Sequence, residues 1–138
     1  MLVTGGKIVG AFDACIFSPG TKHGALDVDA IRKIDDGEWT ANEAFLHAGV
    51  GESLPEDLRK SALAMFTAME CASMKLLNRE AKVALAGSMA PGISVEVEGL
   101  LRENVFVYDE WCASAGLWKI ARDVFEKREG VLGLGLDL

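Results

Sequence analysis

The sequence predicts an α/β protein: a mixed β-sheet with flanking helices, folded as a single domain over all 138 residues. Three observations carry this. A hairpin signal, "LVTGGKIV", opens the chain. Two short apolar runs, "KVALA" (82–86) and "VFVYD" (105–109), are separated by a helical stretch, the pattern of parallel strands joined by a crossover helix. A third stretch, after Ser53, repeats its apolar residues at helical spacing over some twenty positions.

In order along the chain, Gly5 and Gly6 supply the positive φ angles of a tight two-residue turn. The first arm is the short stretch Met1 to Thr4, and the second, Lys7 to Phe17, is long and rich in strand formers. A long strand beside a stub leaves an exposed edge, so the pattern reads as one that begins in the middle of a sheet. Along that arm Ala11, Asp13 and Cys15 share one face, and Phe12, Ala14 and Ile16 the other. A carboxylate inside an apolar strand is costly unless it is paired or solvated, so Asp13 is expected to face a cleft or water.

The loop "SPGTKHGA" follows, then one or two helical turns in "LDVDAIRKID", broken at Gly37. Thr40 caps a short helix through His47, and "GVGES" is a loop. Ser53 and Glu56 fit a capping box, with Pro55 in the first turn of a helix that runs to about Asn78. Its stripe of Leu58, Ala62, Met65, Met69, Ala72 and Leu76, widened by Phe66 and Leu77, is expected to be core lying on the sheet. After the strand at 82–86, Ser94 caps a helix with Glu96 in its first turn, running to about Glu103. The strand at 105–109 precedes the last long helix, Glu110 to Glu129, closed by Gly130. The tail "VLGLGLDL" fits no one element. The order is β-β-α-α-β-α-β-α.

Composition excludes several classes. Net charge is −7 and no basic cluster exceeds two residues, so no nucleic-acid partner is expected. No apolar run reaches membrane-spanning length, and "MLVTGGK" lacks the layout of a signal peptide. Cys15, Cys71 and Cys112 are odd in number and far apart, which gives neither a disulfide framework nor a zinc site. The expectation is a cytoplasmic protein with its cysteines in the core and no metal site. Half the residues are apolar and 15 more are glycine, above the usual share of about 45–50%. The excess points to apolar surface meant for something else: a homo-oligomer interface, a dimer first, or the remainder of a larger protein.

Each candidate functional residue has a plain structural alternative. Gly87, Ser88 and Met89 follow a strand and could cradle a ligand, or form an ordinary turn with Pro91 as a stop. His23, in a glycine-flanked loop beside Lys22, could bind an acidic substrate or simply be solvated. His47 reads as a favourable charge at a helix C-terminus. Trp111 and Trp118, seven apart on one helix, read as core or interface.

Together "GKIVGAFDACIFSPGTKHG", "TANEAF" and "LAGSM" resemble the methanogenesis marker protein 12 family, which is regarded as acetate-kinase-like. The segment "SPGTKHGALDVDAI" is similar to an acetate kinase pattern, matched at Gly20, Thr21, Gly24, Asp27, Ala30 and Ile31. The resemblance implies a partial ribonuclease-H-like (actin-like ATPase) domain from the C-terminal part of an acetate kinase, sugar kinase, Hsp70 and actin superfamily member. It implies ATP and Mg as cofactors, nucleotide binding by Gly87, Ser88 and Met89, and substrate binding by Asp13, Ser18, His23, Gly24 and Asp27. Acetate kinases carry a double glycine where this chain has Gly87-Ser88. The phosphate hairpins of such kinases have no counterpart here, so the chain alone is expected to be catalytically silent. Two functions follow: a kinase-like binder of a nucleotide or acidic metabolite, or an assembly module that self-associates through its first strand edge and the helix at 110–129.

Overall fold

The structure, a computed structural model, describes residues 1–13, 19–126, 130–131 and 134–135. The fold is mixed α/β with small sheets. The chain divides into two compact units, Met1–Ala11 with Cys71–Leu138, and Phe12–Glu70.

The first unit opens with β1 (Leu2–Thr4) and β2 (Lys7–Gly10), paired antiparallel across Gly5 and Gly6, at φ 58° and 75°. Two successive positive φ values are what a type I′ hairpin turn demands, as the sequence predicts. The expected long second arm ends at Gly10. β1 is three residues long, and its ladder with β2, which slips between Leu2 and Val3, reaches no further than Gly10. Residues 14–18 of the expected strand lie outside the described residues. Asp13 stands in no strand and is exposed.

Later in this unit, β3 (Val83–Ala86) and β4 (Val105–Tyr108) pair in parallel, from Val83 beside Val105 to Ala86 beside Tyr108. Between them α5 (Ala90–Leu101) packs on both strands. Its Ala90, Ile93 and Val97 are buried at i, i+3 and i+7, as are Val83 and Leu85 of β3, and Leu2 and Met74. β4 instead leaves Phe106, Val107 and Tyr108 exposed. Helix α5 starts four residues before the expected cap at Ser94, whose hydroxyl donates to Pro91 O at 3.3 Å. It ends at Arg102, in the left-handed region at φ 56°. Helix α6 (Cys112–Phe125) is shorter than the expected Glu110 to Glu129, and residues 127–129 lie outside the described residues. The tail holds a short antiparallel pair, β5 (Gly130–Val131) and β6 (Leu134–Gly135). The described strands therefore form three two-stranded sheets, not one mixed sheet.

In the second unit α1 (Val28–Asp35) is capped by Asp27, whose carboxylate accepts from the Ala30 amide at 2.8 Å, and ends before Gly37 at φ 73°. Helix α2 (Ala41–Leu46) begins at Thr40 in a full capping box with Glu43. The stretch expected as a loop contains a single turn, α3 (Val50–Ser53). Ser53 therefore does not form the predicted capping box with Glu56; its hydroxyl donates to Gly49 O at 2.8 Å instead.

Helix α4 (Glu56–Lys75) is continuous and contributes residues to both units. It ends three residues before the expected Asn78. The predicted core stripe is the wrong side. Leu63, Ala64, Ala68 and Met74 are buried, whereas Leu58 is 50% exposed, Met65 43%, Met69 51% and Leu76 78%. The cysteine expectation is corrected similarly. Cys71 and Cys112 are half-buried, and Cys15 lies outside the described residues.

Candidate functional site

Three places hold the candidate residues. The first is the loop after β3. Gly87 takes φ +113°, which a residue with a Cβ rarely adopts, and its amide donates to Asp109 O at the end of β4 (3.3 Å). Gly87 O accepts from the Ala90 amide at 3.1 Å, turning the chain directly into α5. Pro91, expected as a stop, stands in the first turn of that helix, where its missing N–H leaves no bond unmade. Ser88 and Met89 are exposed on the loop. The Asp109 carboxylate accepts from the Trp111 amide at 3.0 Å, so an anionic group stands close to this turn.

The second place is the segment 20–24, in the other unit. Here the backbone is docked on the start of α3. Gly49, Val50 and Gly51 donate their amides to Lys22 O, Gly20 O and Thr21 O at 2.8, 3.0 and 2.9 Å. Gly20 N closes the turn on His23 O at 2.7 Å. Gly24 is buried, with space for no side chain: a Cβ there would lie 2.4 Å from Ala48 O, and a Cβ at Gly49 would lie 2.4 Å from the Lys22 carbonyl carbon. His23 projects from this platform and is exposed. The amides at the start of α3 are thus taken by carbonyls of the chain itself. Ser18 lies outside the described residues.

The third place is a cleft of about 170 Å³ in the same unit. It is lined by Asp27, Asp29 and Lys33 of the α1 region, by Trp39 and His47 at the two ends of α2, and by Ser53. The Trp39 and His47 rings stand 5.3 Å apart, and the Lys33 ammonium sits 4.0 Å from the Trp39 ring centre, a cation–π contact. His47 Nδ1 is 3.8 Å from a Glu52 carboxylate oxygen. Asp29 pairs with Arg32 at 3.1 Å. The capping box holds the Glu43 carboxyl below its ordinary pKa, first through the Thr40 amide and then through the Thr40 hydroxyl.

Of the predicted site residues, Asp27 lines the cleft. Asp13, His23 and Gly24 do not, and Gly87, Ser88 and Met89 belong to the other unit. Sequence reasoning missed Trp39 and Lys33. A signal for Trp39 was present: it precedes the Thr40 cap, the position of a hydrophobic staple onto Ala44, and both residues line the cleft. Among the described residues, no three His, Cys, Asp or Glu side chains are placed to hold a metal ion. No described helix is long and apolar enough to cross a membrane.

The chain is 39% identical over 165 residues to a UPF0285 protein of Methanosarcina acetivorans and 38% over 161 to one of Methanosarcina mazei. It is 33% identical over 162 residues to one of Methanococcus vannielii. Each match takes in 99% of this chain and 49% of the relative, so the chain spans about half the length of the curated relatives it matches. No family model and no solved structure matches it. The relatives are named UPF0285 proteins, and no acetate-kinase-like family is indicated. This overturns the resemblance to the acetate-kinase-like marker family, and with it the basis for ATP and Mg. The residues that suggested it have local duties. Gly24 allows close backbone approach to Ala48, and Asp27 caps α1.

Proposed function

We propose that this chain, as a UPF0285-type protein, is a self-associating module that closes apolar helix faces against a second copy of itself. One observation carries the reading: α4 and α6 both turn apolar side chains to solvent. On α6, Trp111, Trp118 and Phe125 are 67%, 62% and 87% exposed. Seven residues apart, they fall on one side of the helix, turned away from the half-buried Cys112, Gly116 and Asp123. Aromatic side chains bury roughly 150–250 Å² each when covered, so these three alone offer a few hundred Å² of apolar surface, the kind of patch that marks an interaction site.

Sedimentation equilibrium at low and at 0.5 M salt tests this. Each copy carries a net charge of −7, so apolar association should strengthen as salt screens the repulsion. A dimer favoured by salt supports the reading. A monomer at 100 µM in both buffers overturns it.

A second reading rests on the cleft between α1 and α2. Its Trp39 and His47 rings suit a small ligand with a flat ring. A shift of the Trp39 indole N–H signal on titration with flat aromatic compounds, absent in His47→Ala, tests it.

A further inference from the structure

The exposed stripe of α4 has a property that its composition does not reveal. Leu58, Ala62, Met65, Met69, Ala72 and Leu76 are spaced by four, three, four, three and four, which is the seam of a two-stranded coiled coil. The stripe is also a palindrome of side-chain size: Leu, Ala, Met, Met, Ala, Leu. Leu76 stands one residue past the helix, in the turn where its amide donates to Ser73 O.

We infer that α4 pairs with α4 of a second copy in antiparallel register, with Leu58 facing Leu76, Ala62 facing Ala72 and Met65 facing Met69 across a two-fold axis at Thr67. The inference rests on the self-association reading and specifies its surface. In this register each layer meets a layer of its own size, so the helix separation is uniform along about 27 Å of seam. Each contact is made twice, as a two-fold interface requires.

Helix polarity selects antiparallel over parallel. Antiparallel pairing opposes the two helix dipoles, whereas parallel pairing aligns them. Side-chain charge does not separate the two: Glu56 and Asp57 are followed by Arg59 and Lys60, and Lys75 pairs with Glu103 of its own chain. No like-charged pair is created along the flanks. Arg59 of one copy falls beside Ser73 of the other, and Ser61 beside Lys75. The side of α4 opposite the seam holds Leu63, Ala64 and Met74, already buried within the chain, while in the seam Leu58, Met65, Met69, Ala72 and Leu76 are exposed and Ala62 is half-buried.

A charge-swap experiment on the full chain tests this. Met65→Lys and Met69→Glu are made singly and together, with sedimentation equilibrium as the readout. Both sites are exposed, so circular dichroism should show each variant folded as the parent is. Each single variant sets a charge against a methionine, and each should weaken dimerisation at least tenfold. The double variant sets the introduced lysine of one copy against the introduced glutamate of the other, twice per dimer, and should recover most of the lost affinity. A parallel pair would set the two introduced lysines against each other and make the double variant the weakest. Singles that dimerise as the parent does would overturn the α4 seam while leaving self-association intact. A double variant no stronger than either single would overturn the antiparallel register. A monomeric parent would overturn the self-association reading itself.

Discussion

Replacing Gly49 by alanine should unlock the platform that holds residues 20–24. The added Cβ would stand 2.4 Å from the Lys22 carbonyl carbon and 2.6 Å from its Cα and N. These are backbone atoms, which cannot rotate aside as a side-chain tip can. The segments must separate, and three hydrogen bonds stretch with them: Gly49 N to Lys22 O, Val50 N to Gly20 O and Gly51 N to Thr21 O. Each is worth about 0.5–1.5 kcal/mol net, and overpacking a tight contact costs about 1–3 kcal/mol. Relaxation trades one cost for the other, so the expected loss is about 3 kcal/mol. Against a typical total stability of about 5–15 kcal/mol this is a large fraction. Urea unfolding should show it, and amide hydrogen exchange should localise it: protection at Val50 and Gly51 should fall in G49A while that of α5 holds. If G49A unfolds within about 0.5 kcal/mol of the parent and both amides stay protected, the close approach does not hold the segment and the reasoning fails.

Gly99 provides the opposite case, since it lies inside α5 and an added Cβ meets nothing within 4 Å. Gly99→Ala should stabilise the chain by about 0.5–1 kcal/mol in the same urea assay, and a loss would contradict the open space described for it. Glu43 should titrate below its ordinary 4.5, because the Thr40 amide and hydroxyl favour its ionised form. A folded pKa below the unfolded one gives stability that is present above the unfolded value and lost as pH falls through the folded one. NMR titration of the Glu43 carboxyl should therefore find a lowered value that Thr40→Ala returns toward 4.5; an unperturbed value in the parent would refute the capping box.

What was legible in the sequence was local. Gly5 and Gly6 announced the hairpin because two adjacent positive φ angles are rarely met otherwise. Asp27 and Thr40 sit where helix starts need an acceptor, and only Thr40 was read as a cap. The parallel pairing of β3 and β4 followed from the helix between them. What was not legible depended on segments meeting at a distance. The α4 pattern showed an apolar stripe but not which side the chain would cover. Alanines at 64 and 68 are buried there, because small side chains let neighbours approach, while the larger Leu58, Met65 and Met69 face out. The Ser53 capping box failed because α3 claimed that hydroxyl first. At the candidate site the carboxylates were visible as residues, but the meeting of Trp39, Lys33 and His47 depends on the packing of α1 against α2.

The three tryptophans are distributed so that the chain carries its own optical labels. Trp39 is half-buried under the Lys33 ammonium, whereas Trp111 and Trp118 stand in the other unit with their indoles in water. Water-exposed indoles emit at long wavelength, and their emission shifts blue when a surface covers them. If the chain self-associates as proposed, dilution therefore separates the two helix faces without any dye. If the α4 seam alone holds the copies together, fluorescence stays constant while the mass halves. If α6 is covered as well, the emission reddens in step with dissociation, and Trp39 supplies a background that does not move.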